Sequence, residues 1–143
     1  MKVKQISVFL ENKSGRLAQV TKILGDNRIN IRALAIADTA DYGILRLIVN
    51  DPAKAVAVLR AEGLTVRETE VIAVEVPDQP GGLAAVLQEL DAKGINIEYM
   101  YAFVGKTAAN AIVIFRVEET DRAVALLENS RVKLLPESEL YHY

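Results

Sequence analysis

The segment Val3–Leu10 alternates between apolar and polar positions, and Val71–Val76 repeats this alternation. A period of two residues is typical of a β-strand with one buried side. The aliphatic face consists of Ile6, Val8 and Leu10 in the first segment and of Ile72, Val74 and Val76 in the second. We therefore predict a strand in each place. Phe9 lies on the opposite face, which suggests that the second side of the first strand is partly covered too.

Apolar residues then recur at the spacing of a helix, after a polar turn in each case. Leu83, Val86, Leu87 and Leu90 stand at i, i+3, i+4 and i+7, and Leu17, Val20 and Leu24 keep most of this spacing earlier in the chain. Such a stripe covers one face of an amphipathic helix. The two helices are predicted to end at Asp26-Asn27-Arg28 and at Lys93-Gly94, with Gly94 as a left-handed C-cap.

The rest of each half continues in the same order. Two hairpins are predicted, Ile31–Ala37 with Ile44–Asn50 and Ile97–Val104 with Ala111–Val117. Second helices start near Asp51-Pro52 and Glu119-Thr120-Asp121, where Pro and acidic residues suit a helix N-terminus. Closing strands are Leu64–Glu68 and Val132–Leu135, and the first of these runs almost directly into Val71–Val76.

The two halves are copies of one unit. At an offset of 66 residues, Ser7–Ile31 lies over Ala73–Ile97 with nine identities in 25 positions. After a two-residue insertion, Ala55–Leu59 lies over Ala123–Leu127. Each copy reads strand-helix-strand-strand-helix-strand, which forms a four-stranded antiparallel sheet with both helices on one face. The sequence therefore predicts an α+β fold of two tandem ferredoxin-like βαββαβ units, over residues 1–70 and 71–143.

Composition narrows the classes of function. The chain has 143 residues and a net charge of −2. A negative net charge argues against binding to the phosphate backbone of a nucleic acid, so we expect no nucleic-acid partner. It contains no Cys, which excludes disulfides and thiolate metal sites. No apolar run resembles a signal peptide or a membrane span. We expect a soluble, cytoplasmic protein that has no membrane partner and needs no metal or cofactor.

The turns between the first strand and the first helix of each copy are the most informative sites. They read Asn12-Lys13-Ser14-Gly15-Arg16-Leu17 and Asp78-Gln79-Pro80-Gly81-Gly82-Leu83. Gly at a helix entrance allows close approach of a ligand, and the free N–H groups of the first turn favour a carboxylate. The alternative is ordinary turn and cap chemistry without a ligand.

The motif Ile-Asn-Ile places Asn30 and Asn96 where the second strand of each copy begins. An amide both donates and accepts, which suits a zwitterion, although a junction residue without a ligand is equally compatible with the pattern. Tyr99 and Tyr101 share a strand face and either wall a pocket or fill a sheet interface.

No catalytic constellation is visible. His142 is the only histidine, and without a second His or a Cys it is a poor candidate for metal binding or general-base catalysis. Glu118, Glu119 and Asp121 read as a solvated helix start. Nucleophile-elbow, Walker and Rossmann motifs are absent from the sequence.

The pattern of a strand, [Asn/Asp]-x-x-Gly-x-Leu, a helix, Ile-Asn-Ile and a hairpin resembles the ACT domain, over nearly the whole chain and in two copies. ACT domains are regulatory domains that bind amino acids. In that family the ligand sits between two ACT units, held by the turn of one unit and by the Asn at the start of strand two of the other. The resemblance thus implies two sites, one with Asn12, Ser14, Gly15 and Asn96, the other with Asp78, Gln79, Gly81, Gly82 and Asn30.

The two sites are expected to be unequal. Copy one has Ser14 where the family often has Pro, and Arg16 where copy two has Gly82. Asp78 can pair with a ligand ammonium, and the double Gly is expected to leave the helix N-terminus open to a carboxylate. Arg16 either clamps a carboxylate or blocks its site. The Asp78–Gly82 turn with Asn30 is therefore predicted to bind more tightly.

The resemblance implies a non-catalytic, amino-acid-binding regulatory protein. The alternatives are a regulatory subunit that contacts a biosynthetic enzyme, a small enzyme on the ferredoxin-like scaffold, or a structural subunit. Each copy has a small core, so we also expect self-association as a homodimer. Phe9, Phe103 and Phe115 support this expectation, because they lie on strands whose helix-facing side already has other apolar residues.

Overall fold

The computed structural model describes residues 1–38, 41–103 and 110–141. Val104 and His142, which figure in the sequence predictions, lie outside these ranges. The strands are β1 (Val3–Glu11), β2 (Ile31–Asp38), β3 (Tyr42–Val49), β4 (Thr65–Pro77), β5 (Ile97–Ala102), β6 (Asn110–Val117) and β7 (Lys133–Leu135). The helices are α1 (Arg16–Asp26), α2 (Pro52–Ala61), α3 (Gly82–Ala92), α4 (Thr120–Leu127) and α5 (Glu137–Leu140).

The chain divides into two compact units. One unit comprises Lys4–Thr69, and the other comprises Met1–Val3 together with Glu70–Tyr143. We call them the first and the second unit. The domain boundary predicted between residues 70 and 71 lies within β4 and stays a prediction.

Each unit has the same strand order. In the first unit the order is β2-β3-β1-β4, with β4 contributing its first residues, and in the second it is β5-β6-β4-β7. The pairings β1–β3, β2–β3, β4–β6, β5–β6 and β4–β7 are antiparallel. The prediction of two ferredoxin-like βαββαβ units is confirmed.

The core of each unit lies between its sheet and two helices, α1 and α2 in the first unit and α3 and α4 in the second. In the first unit Ile6 and Val8 of β1 cluster with Leu24 of α1 and Leu59 of α2. In the second unit Ile72 and Val74 of β4 cluster with Leu90 of α3 and Leu127 of α4. Both helices of a unit therefore cover the sheet face that the period-two pattern predicted, and each fully buried Leu contributes about 1.5–3 kcal/mol.

Three predictions about apolar side chains need correction. Leu17 is 46% exposed, because α1 turns Val20 and Leu24 toward the sheet and leaves its first turn outside the core. Phe115 was placed on the face away from the helices, but it pairs with Ile72 and lies in the helix-side core of the second unit. Phe103 is buried, so of the three phenylalanines only Phe9, at 37%, remains exposed.

The two segments predicted to run almost directly into each other form one continuous strand, β4, which begins one residue after Leu64. A short helix, α5, follows β7 and was not predicted. Within the described ranges, no helix is long and apolar enough to cross a membrane.

Candidate functional site

The two glycine turns have the same backbone geometry. Gly15 has φ 89° and ψ −11°, and Gly81 has φ 84° and ψ −6°. The N–H of Arg16 donates to the Lys13 carbonyl at 3.3 Å, and the N–H of Gly82 donates to the Gln79 carbonyl at 3.0 Å. These are type II β-turns, which require a positive φ at the third residue and favour Pro at the second. Local turn geometry therefore accounts for Gly15, Gly81 and Pro80.

The same glycines leave two helix N-termini without a side-chain cap. Gly15 and Gly81 are the N-cap residues of α1 and α3, and neither first turn contains an acidic residue. An N-cap Ser, Thr, Asp or Asn ordinarily satisfies one of the free N–H groups of the first turn. Without a capping side chain, the positive end of the helix dipole remains available to an anion.

Gly82 has a different role from the one expected. It is buried, and a Cβ atom at this position would overlap the carbonyl oxygen of Pro77. Gly82 therefore has to lack a side chain because the backbone after the turn packs closely against the end of β4. The openness of the α3 N-terminus comes from Gly81, whose Cβ position has no neighbour within 4 Å.

A cavity of about 440 Å³ lies beside the α3 turn, within the second unit. The cavity lies beside Pro77, at the end of β4. The last residue pair between β4 and β7 is Glu75 with Lys133, so Pro77 extends beyond this pairing. The cavity wall includes Gln79, Gly81 and Gly82, three of the residues that the sequence predicted. The other lining residues are Glu75, Pro77, Pro80, Ala85, Val86, Glu89, Asn110, Arg131 and Val132.

A carboxylate with two partners lines this cavity. The side chain of Glu75 is 11% exposed; its Oε2 lies 2.7 Å from Lys133 Nζ, and its Oε1 accepts from Asn110 Nδ2 at 2.9 Å. The hydrogen bond from Lys133, followed by that from Asn110, lowers the pKa of Glu75 below its ordinary value. Glu75 is therefore ionised at neutral pH.

The first unit has a cavity at the equivalent place, with a volume of about 340 Å³. The strand pairings establish the equivalence, because Glu11 pairs with Tyr42 where Pro77 pairs with Asn110. Arg16 and Gln19 stand in its wall at the positions of Gly82 and Ala85, and Arg16 Nη1 donates to Gln19 Oε1 at 3.2 Å. The remaining lining residues are Phe9, Leu10, Glu11, Tyr42, Glu62, Gly63, Leu64 and Thr65.

The two Ile-Asn-Ile asparagines lie at strand starts, as expected, and both are exposed. The backbone N–H of Asn30 donates to Asn50 Oδ1 at 3.0 Å. Asn96 Nδ2 donates to Glu118 Oε2 at 3.3 Å, beside a cavity of about 210 Å³ that Arg122 also lines. Each asparagine thus ties β2 or β5 to the end of the following strand.

The structure brings together part of the predicted site. Gln79, Gly81 and Gly82 share one cavity wall, whereas Asp78 is exposed on the same turn and does not line the cavity. In the first unit Asn12, Ser14 and Gly15 are exposed on the turn beside the smaller cavity, whose lining does not include them. The pairing of each turn with an Asn of the other copy stays a prediction.

Sequence reasoning missed Glu75 and Asn110. One signal was present, because Glu75 is the only charged residue in the apolar run Val71–Val76 and aligns with Phe9 of the first copy. Asn110 gave none, since only the pairing of β4 with β6 brings it to Glu75. Tyr99 and Tyr101 line neither of the two larger cavities. Across residues 1–38, 41–103 and 110–141, no group of three or more His, Cys, Asp or Glu could hold a metal ion.

A family model described as an ACT domain pair matches residues 1–143. A search of curated proteins finds no match. Among solved structures, a protein from Bacteroides thetaiotaomicron is 45% identical with a TM-score of 0.93, covering 100% of this chain and 98% of that chain.

Two regulatory subunits of aspartate kinase share the fold at lower identity. The one from Thermus thermophilus is 18% identical with a TM-score of 0.63, covering 90% of this chain and 92% of that chain. The one from Thermus flavus is 17% identical with a TM-score of 0.60, covering 87% and 90%. The family model spans the whole chain and the repeat accounts for both halves, so the chain belongs to the ACT domain pair family.

Proposed function

We propose that this protein is a non-catalytic regulatory module that binds an amino acid at the Asp78–Gly82 turn of its second unit. The observation that carries the proposal is the cavity of about 440 Å³ whose wall includes Gln79, Gly81 and Gly82, next to a helix N-terminus that lacks a side-chain cap. Membership of the ACT family supports the regulatory role.

The chemistry of the turn matches a zwitterion. The first N–H groups of α3 attract a carboxylate, because they carry the positive end of the helix dipole. Asp78 is exposed on the same turn and offers a negative charge to an ammonium. Asn12, Ser14, Gly15, Asn30 and Asn96 are further contacts in this proposal, as the family resemblance implies.

A thermal-shift screen of the twenty proteinogenic amino acids, applied singly, tests the proposal. An amino acid present at a hundredfold excess over its dissociation constant stabilises the folded state by about 2.7 kcal/mol, if it does not bind the unfolded chain. We expect a small set of related amino acids to raise the melting temperature. If none of the twenty does so at millimolar concentration, the proposed function is wrong.

Two matched variants test the place of binding. Asp78 and Asn12 occupy equivalent exposed positions, and melting temperatures without amino acid show whether either Ala variant is destabilised. We expect Asp78→Ala to remove most of the binding measured by calorimetry, because an ion pair with the ammonium is lost, and Asn12→Ala to remove less. Equal losses would contradict the inequality of the two sites. Unchanged affinity in both variants would contradict the assignment of the turns.

The proposal also covers the setting in which the module acts. We place it in the cytoplasm as a homodimer that informs a biosynthetic enzyme encoded elsewhere, without nucleic-acid or membrane partners. The fold that it shares with regulatory subunits of aspartate kinase is in keeping with such a role. Co-purification of a tagged chain with an enzyme, strengthened or weakened by the amino acid found in the screen, would identify that enzyme.

A further inference from the structure

We infer that the cavity of the second unit holds the charged groups of the amino acid: Glu75, positioned by Asn110, binds the α-ammonium group, and the carboxylate of the ligand lies at the α3 N-terminus. This inference rests on the proposed function and adds to it. It assigns an ammonium contact to Glu75, a residue that neither the turn motif nor the family signature includes, in addition to the ion pair proposed for Asp78.

The position of Glu75 is unusual for a charge. Its side chain is 11% exposed, and it lines an open cavity. Lys133, which holds Oε2 at 2.7 Å, is itself 65% exposed and is not part of the cavity wall. The cost of removing a nearly buried carboxylate from water offsets much of its attraction to Lys133, so the ion pair is weak evidence that Glu75 is there for stability. A role in binding accounts for its position.

The repeat provides an internal comparison. The position of Glu75 holds Phe9 in the first unit, whose ring centroid lies 5.7 Å from the guanidinium carbon of Arg67. The position of Asn110 holds Tyr42, and that of Lys133 holds Thr65. Each cavity wall contains two glutamates and one arginine, but the first unit has the aromatic residues Phe9 and Tyr42 at the positions of Glu75 and Asn110. Turn geometry, which is shared by both copies, cannot account for this difference.

Access to the two cavities differs as well. In the first unit Arg16 and Gln19 bond to each other in the wall, whereas Gly82 and Ala85 at these positions leave the second-unit cavity about 100 Å³ larger (440 against 340). The α3 N-terminus and Glu75 thus line one space with opposite electrostatic character. An amino acid carries its ammonium and carboxylate groups on one carbon atom and matches this arrangement, whereas an uncharged or purely anionic molecule offers Glu75 no opposite charge.

The test compares Glu75→Gln with Lys133→Met by calorimetry. The probes are each amino acid that binds in the screen and the corresponding acid with hydrogen in place of the α-amino group. Glu75→Gln keeps an acceptor for Asn110 but removes the charge, so affinity for the amino acid should fall about ten- to a hundredfold. Affinity for the desamino acid should stay within about twofold of its wild-type value, because that acid has no ammonium to lose.

Lys133→Met separates binding from structural support. It breaks the same ion pair as Glu75→Gln but leaves the carboxylate free for an ammonium, so we expect at least wild-type affinity for the amino acid. Equal loss in both variants would mean that the ion pair only supports the fold, and the inference would be overturned. Melting temperatures measured without amino acid show whether either variant is unfolded.

A third variant blocks the cavity with the residue that the first copy uses. Ala85→Gln introduces the equivalent of Gln19 at an exposed helix position that tolerates Gln, and it should weaken binding by at least tenfold without unfolding the protein. If Asp78→Ala abolishes binding while Glu75→Gln and Ala85→Gln leave it unchanged, the proposed function stands and this inference fails. If no amino acid binds the wild-type protein, both fail.

Discussion

At the scale of single residues, Gly15 and Gly81 provide a matched pair for separating turn strain from binding. Both have a positive φ, and neither has an atom within 4 Å of its Cβ position, so a side chain introduces backbone strain without a clash. Gly15→Val and Gly81→Val should each lower the free energy of unfolding by roughly 1–2 kcal/mol. Only Gly81→Val should also remove most amino-acid binding, because its side chain stands at the α3 N-terminus. Calorimetry at a temperature where both variants are folded measures this, and equal binding by the two would contradict the second-unit site.

Single residues also differ in how far the sequence pattern predicted their structural role. The glycines were recognisable from sequence because a type II turn demands a positive φ at one position. Gly82 was recognisable but misinterpreted, since its contact with the Pro77 carbonyl arises only when the turn folds back on β4. Glu75 was visible as a charge in an apolar strand, yet its partners Asn110 and Lys133 are 35 and 58 residues away along the chain.

At the scale of elements, α2 and α4 are equivalent helices with different N-terminal caps. Asp51 caps α2, because its Oδ1 accepts from the N–H of Lys54 at 3.2 Å, whereas Glu119 makes no such bond at α4. Asp51→Ala should therefore lower the free energy of unfolding by about 1 kcal/mol, and Glu119→Ala by clearly less. Urea unfolding followed by circular dichroism measures both. Equal costs would mean that the cap bond at Asp51 contributes nothing.

Most elements were predictable, with shifts of one or two residues at their ends. The periodicity of strands and helices is local, so it survives in the sequence. The continuity of β4 was nearly predicted, because the closing strand of the first copy runs almost directly into the first strand of the second, although Arg67–Glu70 is polar. In the structure this stretch stays extended, so β4 continues to Pro77. The face of Phe115 was misassigned because alternation alone does not specify which of two apolar faces receives the helices.

At the scale of the whole molecule, we predict a homodimer. Each unit has a small core, and β2, at the end of the strand order of the first unit, carries Leu34 and Ile36 at 45% and 51% exposure. Apolar side chains on an edge strand favour association with another chain. Light scattering at micromolar concentration should give about twice the chain mass of 15.7 kDa. A mass of 15.7 kDa under these conditions would rule out a stable dimer.

The sequence by itself determined the repeat, the order of elements in each copy, the faces of most strands and the two glycine turns. These features depend on local periodicity and on backbone conformations that only certain residues adopt. Only the tertiary structure decided that equivalent positions in the two units surround cavities of different character. A cavity is formed by residues that strand pairing brings together, and that pairing couples Glu75 with Asn110 in one unit and places Phe9 and Tyr42 at the same positions in the other.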